Sequence, residues 1–154
     1  MNVIYRCYGR AHSSVVAAHL HLGNLPMQGP VKPKEIAALP LFDKARKEDF
    51  AIPYFMGRDE FGHAVYIIGF GMFATICDRT IEEIFRISGQ AEEVLLVNAL
   101  PSIGIAARIG GGLSRGWGLV RIGRPLVAWG VCRSLTGMRK LVSDVKEVLR
   151  EKHG

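Results

Sequence analysis

The stretch Cys7-Tyr8-Gly9-Arg10-Ala11-His12-Ser13-Ser14 gathers a thiol, an imidazole, a guanidinium and two hydroxyls around a glycine. Gly9 permits a tight backbone, Arg10 and His12 supply donors, and Ser13 or Ser14 can cap a following helix while offering a hydroxyl. If a strand precedes this stretch and a helix follows it, the free N–H groups and dipole of the helix start would attract an anion. The expected chemistry is a cradle for phosphate, with Gly9, Arg10, Ser13 and Ser14 as ligand-binding residues. Cys7 would be a nucleophile and His12 an acid, base or donor. A buried structural thiol and a plain helix cap are the bland readings of the same residues. There is no Gly-Lys-Ser/Thr, and no lysine before Lys32, so the loop is not that of an ordinary P-loop kinase.

Charge directs attention to a second region. Between Val94 and Ser143 there is no Asp or Glu, while Arg108, Arg115, Arg121, Arg124, Arg133, Arg139 and Lys140 carry the whole excess of the +6 chain. Such a segment raises the local potential for anionic ligands, or it is solvated surface. Arg115, Arg124 and Asn98 are the residues expected to reach the same ligand. No metal site is expected: His12 and His19 would lie about 10.5 Å apart along a helix, and His19 and His21 on different faces. No cofactor is read.

The elements that must position these groups follow from periodicity. Asn2 to Tyr8 reads as a first strand, and a helix capped by Ser13 or Ser14 runs to Gly23. Pro33 to Leu39 and Leu41 to Phe50 are short helical candidates, and Ile52 to Arg58 with His63 to Gly69 form a hairpin about Asp59-Glu60-Phe61-Gly62. Met72 to Ser88 is a helix with Phe73, Ile76, Cys77, Ile81, Ile84 and Phe85 on one stripe. Val94-Leu95-Leu96-Val97 reads as a buried parallel strand, Pro101 to Ile109 as a helix, and Leu126-Val127-Ala128-Trp129 as a further buried strand. Leu135 to Leu149 is an amphipathic helix. The fold class is α/β, a single-domain three-layer sandwich over residues 1–154, with a mostly parallel sheet and an antiparallel hairpin at one edge.

The first loop resembles those of low-molecular-weight protein tyrosine phosphatases and of cysteine-phosphorylated phosphotransferase-system IIB components. There a Cys ends the first strand and a Ser begins the first helix, so Cys7 would match the nucleophile and Ser14 the loop-closing serine. The phosphatases carry Arg just before that serine, where this chain has Ser13; the IIB components lack it too and are the nearer comparison. Over almost its full length the chain also resembles a family of small Firmicutes proteins defined only as a domain of unknown function. The resemblance rests on Cys-Tyr-Gly-Arg-Ala-His-Ser-Ser-Val-Val-Ala-Ala at 7–18, Phe-Met-Gly-Arg-Asp-Glu at 55–60, Leu-Leu-Val-Asn-Ala-Leu-Pro at 95–101, Ile-Gly-Gly-Gly-Leu-Ser-Arg at 109–115 and Ile-Gly-Arg-Pro-Leu-Val at 122–127. It implies a site near His12, Ser13, Ser14, Arg115 and Gly123-Arg124. It also implies a second glycine in place of Arg10 and an Asp in place of Asn98.

Composition bounds the function. At 154 residues, 49% apolar and 22% charged, the chain has the means for one core and none of the marks of disorder. No run is apolar enough to span a bilayer, Met1 to Tyr8 lacks signal-peptide architecture, and the three cysteines are scattered, so a cytoplasmic protein with free thiols is expected. The expected partner is a phosphorylated small molecule or nucleotide, bound with or without phosphoryl transfer or hydrolysis through Cys7. The competing expectation is a non-enzymatic anion-binding or protein-interaction module. Nucleic acid is disfavoured, because there is no lysine-rich tail, helix-turn-helix or stacking motif; a homo-oligomer stays open.

Overall fold

The computed structural model describes the backbone of residues 1–102 and 120–152 and the side chains of residues 1–101 and 125–152. A four-stranded sheet has the order β2-β3-β1-β4, with β1 at Asn2–Cys7, β2 at Tyr54–Arg58, β3 at Ala64–Gly69 and β4 at Val94–Asn98. β1 is parallel to both β3 and β4, whereas β2 runs antiparallel to β3 on the outside. The chain is thus α/β, with a mostly parallel sheet and the hairpin at one edge. Asp59 shapes that hairpin by accepting hydrogen bonds from the main-chain N–H groups of Phe61 and His63, and Gly62 takes the left-handed conformation at φ 82°.

Side-chain alternation along β1 sends Val3, Tyr5 and Cys7 to one face and Ile4 and Arg6 to the other. The first face holds the main core, closed by α1 (Ser13–His21), α2 (Pro33–Ala38), α4 (Val120–Arg133) and α5 (Leu135–Glu151). The second face carries α3 (Ala74–Ile87) over the smaller cluster of Ile4, Ile68 and Phe70. Every residue of α1 is buried, as befits a helix that is apolar almost all round and wedged between sheet and α5. Its two histidines enter the core only because each ring nitrogen is satisfied. His19 donates to the Pro40 carbonyl and accepts from Asn24, and His21 has partners described below. α5 buries Leu135, Met138, Val142, Val145 and Leu149, the amphipathic stripe its sequence implies.

Several expectations need correction. Leu126 to Trp129 is no strand: it lies inside α4, where Val127, Ala128 and Val131 are buried at helical spacing and Arg133 stacks over the exposed Trp129 ring one turn back. A four-residue apolar run has no periodicity of its own, and Pro125 hid the helix from a reading that lets proline only open one. Among the described residues β4 pairs with β1 alone, at the end of the strand order, and it is only partly buried. Between Leu41 and Phe50 the helical content is one 3₁₀ turn, Lys47–Asp49. The α3 stripe is also only half used: Cys77 and Ile81 pack on the sheet, while Phe73, Ile76 and Ile84 are exposed. The expected helix from Pro101 begins within the 3₁₀ turn Leu100–Ser102, and its remainder lies outside the described residues. Among the described residues no helix is long and apolar enough to cross a membrane.

Candidate functional site

From β1 the chain passes through α1 and α2 to the outer strand β2, returns along β3 beside β1, and then crosses the other face to β4 on the far side of β1. β1 is therefore the strand at which the winding reverses, and in open α/β sheets ligands settle beyond the carboxyl end of that strand. Residues 7–12 occupy this position and lead directly into α1. They are held down by the strand beside them: the N–H groups of Phe70 and Gly71 donate to the carbonyls of Cys7 and Tyr8. A Cβ at Gly69 would stand 2.6 Å from the Arg10 nitrogen and 2.8 Å from the Gly9 carbonyl carbon, so the loop crosses the end of β3 only because position 69 lacks a side chain.

Cys7 and Ser14, placed by β1 and by the first turn of α1, meet with Sγ 3.0 Å from Oγ, both buried. The helix starts one residue earlier than a serine cap would require: His12 is the cap residue, without a side-chain cap bond, and Ser13 is already helical. Ser13 is 1% exposed, yet its Oγ has no hydrogen-bond partner. The first-turn N–H groups of any helix lack intrahelical acceptors, so among the described residues this end of α1 presents unspent donors beside an unspent hydroxyl. His12 is engaged differently. Its Nε2 donates to Asp43 Oδ1 at 2.9 Å, the Asp43 side chain is fully buried, and the ring stands edge-on to Phe42.

Arg10 is used by the fold. Its backbone is left-handed at φ 53°, and its guanidinium bonds the Ile52 carbonyl at 3.1 Å and the Asp49 carboxylate at 2.9 Å beneath the Tyr54 ring. That contact contributes to holding the Asp49 carboxyl below its ordinary range, after the larger effect of the Arg46 N–H. Asn98 is exposed at the end of β4, where its Oδ1 accepts from the Leu100 N–H and shapes the turn. Arg115 lies outside the described residues, as does the side chain of Arg124, whose backbone belongs to α4. Of the other basic residues in the acid-free segment, Arg139 donates to the carbonyls of Pro26 and Gly29, Lys140 pairs with Asp144, and Arg133 covers Trp129. These three serve local structure.

The structure therefore brings Cys7, Gly9, His12, Ser13 and Ser14 to one end of the sheet and adds Asp43, which no motif announced. His12, His19 and His21 each turn to different partners. Among the described residues no group of three His, Cys, Asp or Glu could hold a metal ion.

A second polar cluster sits at the opposite end of α1. The Tyr5 hydroxyl donates to His21 Nδ1 at 2.8 Å, His21 Nε2 donates to Asp59 Oδ2 at 3.1 Å, and His63 Nδ1 donates to the same oxygen at 2.9 Å. Burial alone would raise the Asp59 carboxyl, but bonds from His21, His63 and two main-chain N–H groups outweigh it and hold the carboxyl at about 2. Burial pushes His21 below the usual imidazole range and the Tyr5 hydroxyl well above its own. Every group of this cluster is paired.

No curated protein and no solved structure matches the chain. A family model described as protein of unknown function DUF3189 does match, over residues 2–147, so the chain belongs to that family.

Proposed function

We propose that the protein binds a phosphorylated small molecule or nucleotide at the loop joining β1 to α1. The observation that carries this reading is the Ser13 hydroxyl, buried without a partner in the first turn of a fully buried helix at the end of the central strand. An unpaired buried hydroxyl is unfavourable unless something absent from the free chain completes it. Phosphate oxygens accept hydrogen bonds from hydroxyls and main-chain N–H groups alike, which suits Ser13, Ser14 and Gly9, where no side chain stands in the way. Arg115 and Arg124 remain the proposed closing groups.

The Cys7–Ser14 contact supports an enzymatic form of this reading. In it the thiolate sulfur bonds to phosphorus, the ester P–O bond breaks, the leaving oxygen takes a proton, and water later hydrolyses the S–P bond. Cys7 is only 5% exposed, and this observation favours the second reading, a module that holds the anion without turning it over. Thermal shift against inorganic phosphate, sugar phosphates and nucleotides tests the site. At one hundred times Kd the gain should be about 2.7 kcal/mol. No shift across that panel overturns the reading. Phosphatase assays of wild type and Cys7→Ser then separate the two forms: a wild type without turnover, or a variant with full turnover, removes the thiol from the chemistry.

A further inference from the structure

Among the described residues, the non-glycine positions with left-handed backbone are Arg10, Leu41, Asp43 and Ala51. All of them lie in the first loop or in the segment 41–51 packed against it, tied together by the Asp43 N–H on the Ala11 carbonyl and by Arg10 on Asp49 and Ile52. L-residues avoid this conformation, and it persists only where the surroundings over-determine it. Its effect at 41–43 is to deliver a fully buried carboxylate to His12.

We infer that Asp43 fixes His12 as a proton acceptor, and that the imidazole takes up a proton when a phosphate-bearing ligand settles at the start of α1. This rests on the anion site proposed above. A carboxylate can only accept, so the 2.9 Å contact places the neutral ring's proton on Nε2 and leaves a lone pair on Nδ1. Nδ1 has no partner among the described residues, and the edge-on contact with Phe42, 5.4 Å between centroids, limits how the ring can turn. His12 immediately precedes Ser13, whose buried hydroxyl also lacks a partner. In the proposed complex Nδ1 faces the bound phosphate; a dianion has no proton to give that lone pair, so two acceptors would meet there. One added proton removes the conflict: the ring becomes an imidazolium donating to Asp43 through Nε2 and to phosphate oxygen through Nδ1. The bound state then holds one proton more than free protein and dianion, whether it comes from solvent or arrives on a monoanionic ligand.

Among the described residues the other ionisable groups nearby are spent or remote from burial. Arg10 is paired with Asp49 and Cys7 with Ser14, while Tyr8, Lys44, Arg46, Lys47 and Glu48 are exposed. Among the described residues His12 is the group left to carry the proton.

Calorimetric titration of inorganic phosphate at about pH 8, in two buffers of different ionisation enthalpy, measures the proton count directly. Wild type should take up close to one proton per phosphate bound, His12→Gln none, and Asp43→Asn less than half as much with about tenfold weaker binding, the equivalent of one pKa unit. Asn tolerates left-handed backbone, which keeps the Asp43 variant testable. His12→Gln decides the matter should that variant not fold. Nitrogen-15 spectra of the free wild type supply an independent arm and should show His12 protonated at Nε2. Phosphate binding without proton uptake, uptake unchanged in His12→Gln, or an Nδ1-protonated ring overturns the inference and leaves the anion site standing. No phosphate binding at all overturns both.

Discussion

The two ends of α1 carry the same residue types and use them in opposite ways. At the carboxyl end, Tyr5, His21, Asp59 and His63 form a closed chain in which each buried donor meets an acceptor, joining β1, α1 and the hairpin. At the amino end, His12 and Asp43 pair, yet the Ser13 hydroxyl is left over and the backbone beside it is strained. A satisfied network needs nothing further and stabilises the fold, whereas an incomplete one at a sheet's carboxyl edge is where a ligand could complete the set. Imidazole beside carboxylate is thus no marker of function by itself; the unspent neighbour distinguishes the two ends.

The largest effect should come from opening the closed end. Asp59→Ala strands His21 Nε2, His63 Nδ1 and two main-chain N–H groups, and should cost about 3 kcal/mol in urea unfolding. Phosphate binding by the folded fraction should be unchanged. A comparable loss of binding would mean the ends are not separate. Acid should open the same end without mutation. The folded Asp59 carboxyl, at about 2, lies below its unfolded value of 3.8, so its contribution is present above that value and disappears as pH falls through about 2. That contribution is about 2 kcal/mol. His19 and His21 are likewise depressed by burial, so stability should begin to fall below about pH 6.5, before the Asp59 limb is reached. Stability rising on acidification across this window would contradict the network. Tyr5→Phe removes only one donor to His21 Nδ1 and should cost about 1 kcal/mol by the same urea measurement.

How far these ends were legible in the sequence follows from the range of the interactions. β1, α1, α3, α5 and the hairpin announce themselves through local apolar patterning and turn residues, although the serine cap expected for α1 is not made, and the Cys7 to Ser14 loop sits where such elements place it. Asp43 joins His12 across 31 positions through irregular chain that has no period to read. His21 looked like one more residue of an apolar helix, because the Tyr5 and Asp59 that satisfy it come from β1 and a distant turn. Arg10 looked like a ligand donor because its type and place suit one, and nothing local reveals the Asp49 and Ile52 oxygens that engage it. Leu126–Trp129 differs in another way: the buried pair Val127 and Ala128 needs Val131, beyond that run, to declare a helical face.

The smallest expected change in stability is the sharpest test of the comparison. If Ser13 is only a structural helix start, replacing it with alanine should be neutral or should destabilise through a lost contact. If its hydroxyl is held back for a ligand, Ser13→Ala removes a buried polar group that bonds to nothing in the free protein. The free variant should then be more stable by about 0.5–1 kcal/mol, while phosphate binding weakens several-fold. That opposition of signs is the mark of a site whose incompleteness serves binding, and matched urea curves with and without phosphate would show it. A variant that loses stability and keeps its affinity would instead assign the amino end of α1 the same purely structural role as the other.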